Sequence, residues 1–152
     1  GNGLDQVGMI LLITGAGGAF GKVIQLTGIG DYMAEIFGNL HIPVLVLGFV
    51  LAQIIRLAQG STTVAITTSS AILYATVIAE GVSPILAAIA ICAGGVGLSL
   101  PNDSGFWSIS RFNRISIPET FKSWTVGGFV GGLGILAAVL VLSLFQGVLP
   151  GL

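Results

Sequence analysis

The chain has 152 residues, with five Lys or Arg, six Asp or Glu and one His, for a net charge of −1. Charged residues make up 7% and hydrophobic residues 54%, and mean hydropathy is +1.04. Soluble domains carry about 25% charged residues, so this composition excludes a water-facing shell, a disordered chain and a basic nucleic-acid surface. The single cysteine, Cys92, excludes an intrachain disulfide and a multi-thiolate metal site. An integral membrane protein remains. The chain opens mid-pattern at Gly1 with no basic segment before the first apolar run, so it reads as a piece of a longer protein and not as a signal peptide.

In chain order, the sparse charges bound five apolar runs: Gln6 to Gly21, Ile36 to Ile55, Leu57 to Ala79, Gly81 to Asn102 and Ser123 to Leu152. A spanning helix needs about 20 apolar residues. The first run reaches that length only if Lys22 snorkels or faces protein. No period-two alternation persists, which excludes a β-barrel. The expected fold is an all-α, polytopic integral membrane unit, with spans at about 6–27, 43–79 (as a hairpin), 84–107 and 123–148.

Two of these segments are interrupted. Gly60 followed by Ser61, Thr62 and Thr63 is a turn and a helix start. From His41 to Gln59 a helix climbs about 28 Å. The tip therefore either turns back inside the protein, as a re-entrant hairpin, or joins two complete spans. Further on, Gly94, Gly95, Gly97 and Pro101 cannot sustain a regular helix. A discontinuous helix is expected there, Pro84 to Gly94 and Phe106 to Phe112, with an unwound centre. Such backbone is tolerated in a bilayer only where protein or a watery cavity satisfies it, and paired interruptions point to a transporter site. Arg111, Arg114 and Lys122 place 108–122 in the cytoplasm by the positive-inside rule and the C-terminus on the opposite side. The last helix is expected from Trp124 to about Val148, with Gly127, Gly128, Gly131 and Gly132 permitting close helix contact.

Several strings carry little. Gly15 to Lys22 fails both nucleotide-loop fingerprints, because Phe20 and Ala16 occupy required glycines. Gly28-Ile29-Gly30-Asp31 matches an intramembrane aspartyl-protease string, but that chemistry needs two facing carboxylates, and Asp31 is expected at the surface. His41 has no nucleophile elbow to serve. No enzyme, metal or organic cofactor is indicated.

Two clusters are candidates. At the tip, Gln59, Gly60, Ser61, Thr62 and Thr63 offer helix-start N–H groups and hydroxyls to an anion or a polyol. Arg56 lies one turn earlier, either as a substrate partner or neutralised by Asp103 or by backbone carbonyls. In the unwound stretch, Asn102 and Ser104 can orient a polar ligand. Asp103 is either a proton carrier or the cap of the following half-helix. Thr67, Thr68, Ser69 and Ser70 form a hydroxyl-rich helix that bonds its own preceding turn or lines a cavity.

The strings Ile13 to Lys22, Ala58 to Ala65 and Asn102 to Trp107, in this order and spacing, resemble the gluconate permease family, and the chain looks like the C-terminal portion of such a permease. The resemblance implies a bacterial inner-membrane symporter of gluconate, related sugar acids, small hydroxy acids or D-serine. It implies a proton gradient as the driving force (or a sodium gradient in its place), inverted repeats with a missing N-terminal half, lipid around it, and a homodimer. The family's tip motif falls on Gln59, Gly60, Ser61 and Thr62 and its second motif on Asn102, Asp103, Ser104 and Gly105; the residues themselves lead us to expect substrate at Gln59, Gly60, Ser61, Thr62, Thr63, Arg56, Asn102 and Ser104, and the coupling proton at Asp103. The family commonly carries a histidine where this chain has Leu100, and Pro101 is also a departure. A channel or structural membrane subunit, in which Arg56 and Asp103 serve assembly alone, is the competing reading.

Overall fold

The computed structural model describes residues 42–148. The expected span at 6–27, the glycine string ending at Lys22, Asp31 and His41 lie outside the described residues. Every regular element among the described residues longer than a single bridge residue is helical. Helix α1 (Val44–Gln59) follows Pro43, and α2 (Thr62–Ala79) follows after the two-residue tip Gly60-Ser61. Helix α3 (Pro84–Val96) starts with proline in its first turn, where a missing N–H costs nothing. An unwound stretch, 97–103, separates it from α4 (Ser104–Phe112). Helix α5 runs continuously over Ile117–Ser143.

The broken segment is as expected, with each half two residues longer than the glycines suggested. The last helix departs more from expectation. It begins at Ile117 rather than Trp124, so residues 108–122 are largely helical and the turn between α4 and α5 shrinks to 113–116. The cause is a capping box: the Ser116 N–H and Oγ both donate to the Glu119 carboxylate, at 2.8 and 2.6 Å, with Pro118 in the first turn. It ends at Ser143 rather than Val148. Residues 144–148 form turns, and the Gln146 carboxamide clasps the α2–α3 connection, donating to Gly81 O at 2.7 Å and accepting from Ser83 N–H at 3.1 Å.

Helix α3 is the centre of the packing, with α1, α2 and α5 against it. Leu45, Phe49 and Ala52 of α1, Leu73 and Val77 of α2, Leu86, Ala90 and Ile91 of α3, and Leu136 and Val139 of α5 form one apolar core. Outward, Ile54, Tyr74, Ile78, Val130 and Val141 are exposed, a surface suited to lipid and not to water. Both Thr62–Ala79 and Ile117–Ser143 are long and apolar enough to cross a membrane.

Small residues set the helix spacing. A Cβ on Gly94 would lie 2.1 Å from Phe49 O, and one on Gly132 would lie 2.7 Å from Ala93 O. Gly128 likewise faces the Gly97 carbonyl at 3.1 Å, but Gly127 and Gly131 meet nothing within 4 Å among the described residues. The expected four-glycine contact face is therefore a two-glycine face. We expect Gly94→Ala to lower the melting temperature in detergent by several degrees, because backbone must move to admit the methyl group. Gly127→Ala should leave it unchanged or raise it slightly, since Ala is the better helix former by about 1 kcal/mol. Parallel thermal melts of the two variants check both.

The elements define two ends. Pro43, Glu80 and Gln146 surround an open, mostly apolar cavity of about 620 Å³ at one end. The tip and the unwound stretch lie together away from it. At about 1.5 Å per residue, α1 and α3 reach about 24 and 20 Å from that end, against an apolar bilayer thickness of about 30 Å. Helix α5 continues beyond the level of the breaks, because Gly128 and Thr125 sit beside Gly97 and Ser99.

Candidate functional site

The two helix breaks meet. Gly60 ends α1 at φ 72°, in the left-handed region, and its N–H closes the helix onto Arg56 O at 2.7 Å. Glycine is required there twice over: besides its φ, a Cβ would fall 2.3 Å from Asn102 O. Backbone thus lies directly on backbone. The Asn102 side chain donates to Leu57 O at 2.8 Å, giving one of the last carbonyls of α1 a partner across the junction.

Beneath this contact is a buried ion pair. Arg56 and Asp103 are 5% and 7% exposed, so both charged groups are withdrawn from the surface of the described residues. The guanidinium Nη2 donates to Asp103 Oδ2, and Nη1 donates to Thr62 Oγ1 and to Gly95 O. Arg56 therefore ties α1 to the start of α2, to the end of α3 and to the unwound stretch at once. Asp103 is equally engaged. Its Oδ2 also accepts from Ser99 Oγ at 2.6 Å, and its Oδ1 accepts from Gly105 N–H at 2.8 Å, which caps α4. Of the readings the sequence left open, the structure realises the pairing of Arg56 with Asp103 and with a backbone carbonyl, and the cap by Asp103.

Of the other candidates, Ser61 caps α2 through a long contact to Val64 N–H at 3.4 Å. Gln59 and Thr63 have exposed side chains. Ser104 opens α4. Thr67 bonds back to Thr63 O at 2.8 Å, as hydroxyls in apolar helices do, and Ser70 is exposed. Thr68 and Ser69 are buried with hydroxyls that lack a partner among the described residues.

Three residues of this junction escaped the sequence reading. Ser99 binds the Asp103 carboxylate. Thr125 is buried and donates to Ser99 O from a π-helical turn, Phe121–Thr125, within the continuous α5. Such turns concentrate at functional sites. Gln53, one turn before Arg56, is buried against Gly97. No sequence signal marks the π turn. Gln53 could have been found as an amide inside an apolar run, three residues from an arginine.

The GntP family permease profile matches residues 1–145. The chain belongs to the GntP permease family. It is 39% identical over 129 residues to the inner membrane permease YgbN of Escherichia coli K12, an overlap covering 83% of this chain and 28% of that protein. To the gluconate permease of Bacillus licheniformis it is 37% identical over 142 residues, 93% of this chain and 32% of the relative. To the D-serine transporter DsdX of E. coli K12 it is 35% identical over 143 residues, again 93% and 32%. The chain thus spans about a third of the length of these relatives. No solved structure matches it. The family consists of membrane permeases and not enzymes, which agrees with the all-α, apolar-surfaced packing of the described residues.

The junction makes a direct prediction. Removing one partner of a buried pair strands the other charge, at a cost of about 3–5 kcal/mol. Arg56→Leu and Asp103→Ala should each destabilise the full-length permease by that order, and the double variant should cost clearly less than the two together. Chemical or thermal denaturation of the four proteins in detergent measures the cycle.

Proposed function

We propose that this chain is part of a secondary active transporter that moves gluconate, or a related sugar acid or small hydroxy acid, across the bacterial inner membrane. The observation that carries the reading is the meeting of two helix breaks from separate segments over a buried Arg56–Asp103 pair. In a membrane, unwound backbone and buried charge are retained where they line a substrate path. The names of the relatives, gluconate permease and D-serine transporter, supply the substrate class: a small carboxylate bearing hydroxyls.

In this reading α1 and α2 form a re-entrant hairpin, supported by the short reach of α1 relative to the bilayer. The tip Gln59–Thr63, with Asn102 and Ser104, closes over the substrate. Arg56 offers its guanidinium to the substrate carboxylate when Asp103 gives it up. Asp103 accepts the coupling proton, which cancels its hold on Arg56 and lets proton and anion enter together. The missing N-terminal half completes the path, and the transporter works as a homodimer with the turn at 113–116 and its flanking basic residues in the cytoplasm. The pairing of the two charged groups with each other and with further protein acceptors also suits a structural or channel-type subunit, in which the pair serves assembly alone.

Uptake of labelled gluconate by the full-length parent protein in proteoliposomes separates the two. The transporter reading expects accumulation driven by an inward proton gradient and abolished by an uncoupler. It also expects Asp103→Asn to lose gradient-driven accumulation by at least tenfold while retaining exchange. Absence of accumulation under either a proton or a sodium gradient would sink it. Accumulation under sodium alone would keep the carrier and remove the proton.

A further inference from the structure

Gln53 lies on α1 one turn before Arg56, and its side chain is 6% exposed. It rests on the first residue of the unwound stretch: a Cβ on Gly97 would come within 2.1 Å of Gln53 Nε2. Among the described residues that Nε2 has no hydrogen-bond partner, and neither has Arg56 Nε. Both groups only donate. Two buried donors without acceptors among the described residues, three residues apart on one helix and both beside the end of α3, are destabilising unless an acceptor arrives. Groups left in that condition in a native structure need an explanation. Apolar side chains at position 53 would avoid the cost, and an apolar run surrounds it on both sides.

We propose that Gln53 is a specificity-determining residue of the transported acid's site, donating from Nε2 to a substrate hydroxyl oxygen, with Arg56 Nε donating to a neighbouring oxygen. The inference rests on the transporter reading above and adds to it the group that reads the polyol part of the substrate. A hydroxyl fits better than a carboxylate. In the transporter reading the substrate carboxylate takes the Nη2 position that Asp103 releases, which leaves the substrate's hydroxyl oxygens for Gln53 Nε2 and Arg56 Nε, and a neutral amide is a suitable donor to a neutral oxygen. A site built to hydrogen-bond a substrate hydroxyl discriminates against analogues that lack it, because its donors are then left buried and unmatched.

The test uses the full-length permease with Gln53→Met, close in volume and without the N–H, and Gln53→Glu, close in shape with the donor replaced. Melting temperature is measured without ligand and with gluconate, D-serine and hexanoate, the last lacking hydroxyls. Without ligand, Gln53→Met should melt at or above the wild-type temperature, since an unmatched donor has been removed. Its half-saturating concentration for the hydroxy acid that best stabilises the wild type should rise about tenfold, with Gln53→Glu at least as impaired. A large fall in unliganded melting temperature with unchanged half-saturation would make Gln53 a packing residue and overturn the proposal. Stabilisation of the wild type by hexanoate equal to that by the hydroxy acids would also overturn it. Binding of D-serine but not gluconate, weakened by Gln53→Met, would sustain Gln53 and refute the gluconate reading. Failure of every acid to stabilise the wild type would refute both.

Discussion

A guanidinium inside an apolar helix packing must be answered by acceptors from the protein itself, and that constraint organises this chain. Arg56 draws Asp103, Thr62 Oγ1 and Gly95 O to one point. Those acceptors belong to the unwound stretch, the start of α2 and the end of α3. The helix breaks are thus the means by which three separate segments reach a single charge on α1. Were α3 and α4 one straight helix, Asp103 could not lie next to Arg56 while capping α4 and accepting from Ser99.

The breaks in turn need small residues where backbones touch. Gly60 accepts a left-handed φ and the Asn102 carbonyl, and Gly94 accepts the Phe49 carbonyl. Further out, Phe106 is fully buried and packs edge-on to Phe121 at 4.9 Å and to Trp107 at 5.7 Å, holding α4 against the start of α5. Trp107 also donates to Pro101 O at 2.7 Å. The unwound stretch is therefore anchored at both ends, by an aromatic cluster on one side and by the ion pair on the other.

Much of this could be read from the residues. The membrane class followed from the scarcity of charge, and both interruptions followed from glycine and proline in apolar runs, to within two residues at α3 and α4. The pairing of Arg56 with Asp103 was one of two readings, and the sequence could not choose between them because 47 positions separate the partners. The start of α5 was missed although Ser116 and Glu119 hold the signature of a capping box, because basic residues nearby gave the segment the look of a connection. The glycines of α5 show the limit of periodicity. Gly127, Gly128, Gly131 and Gly132 look equivalent in sequence, yet only the two facing α3 are in contact, and the face a helix turns inward is decided by its neighbours. Nothing local announces Thr125, whose orientation depends on an extra residue in one turn.

The carbonyl contacts of Gly94 with Phe49 and of Gly132 with Ala93 have a mechanical consequence. Helices whose main chains touch, with no side chain between them to change rotamer, cannot slide past one another by small adjustments. Helices α1, α3 and α5 are locked into a slab by such contacts, and the α1–α2 tip is seated on Asn102 in the same manner. Any working cycle in this part of the protein must either carry the slab as a rigid body or lift the tip from its seat in one discrete step. Gradual flexing within the slab is not available to it.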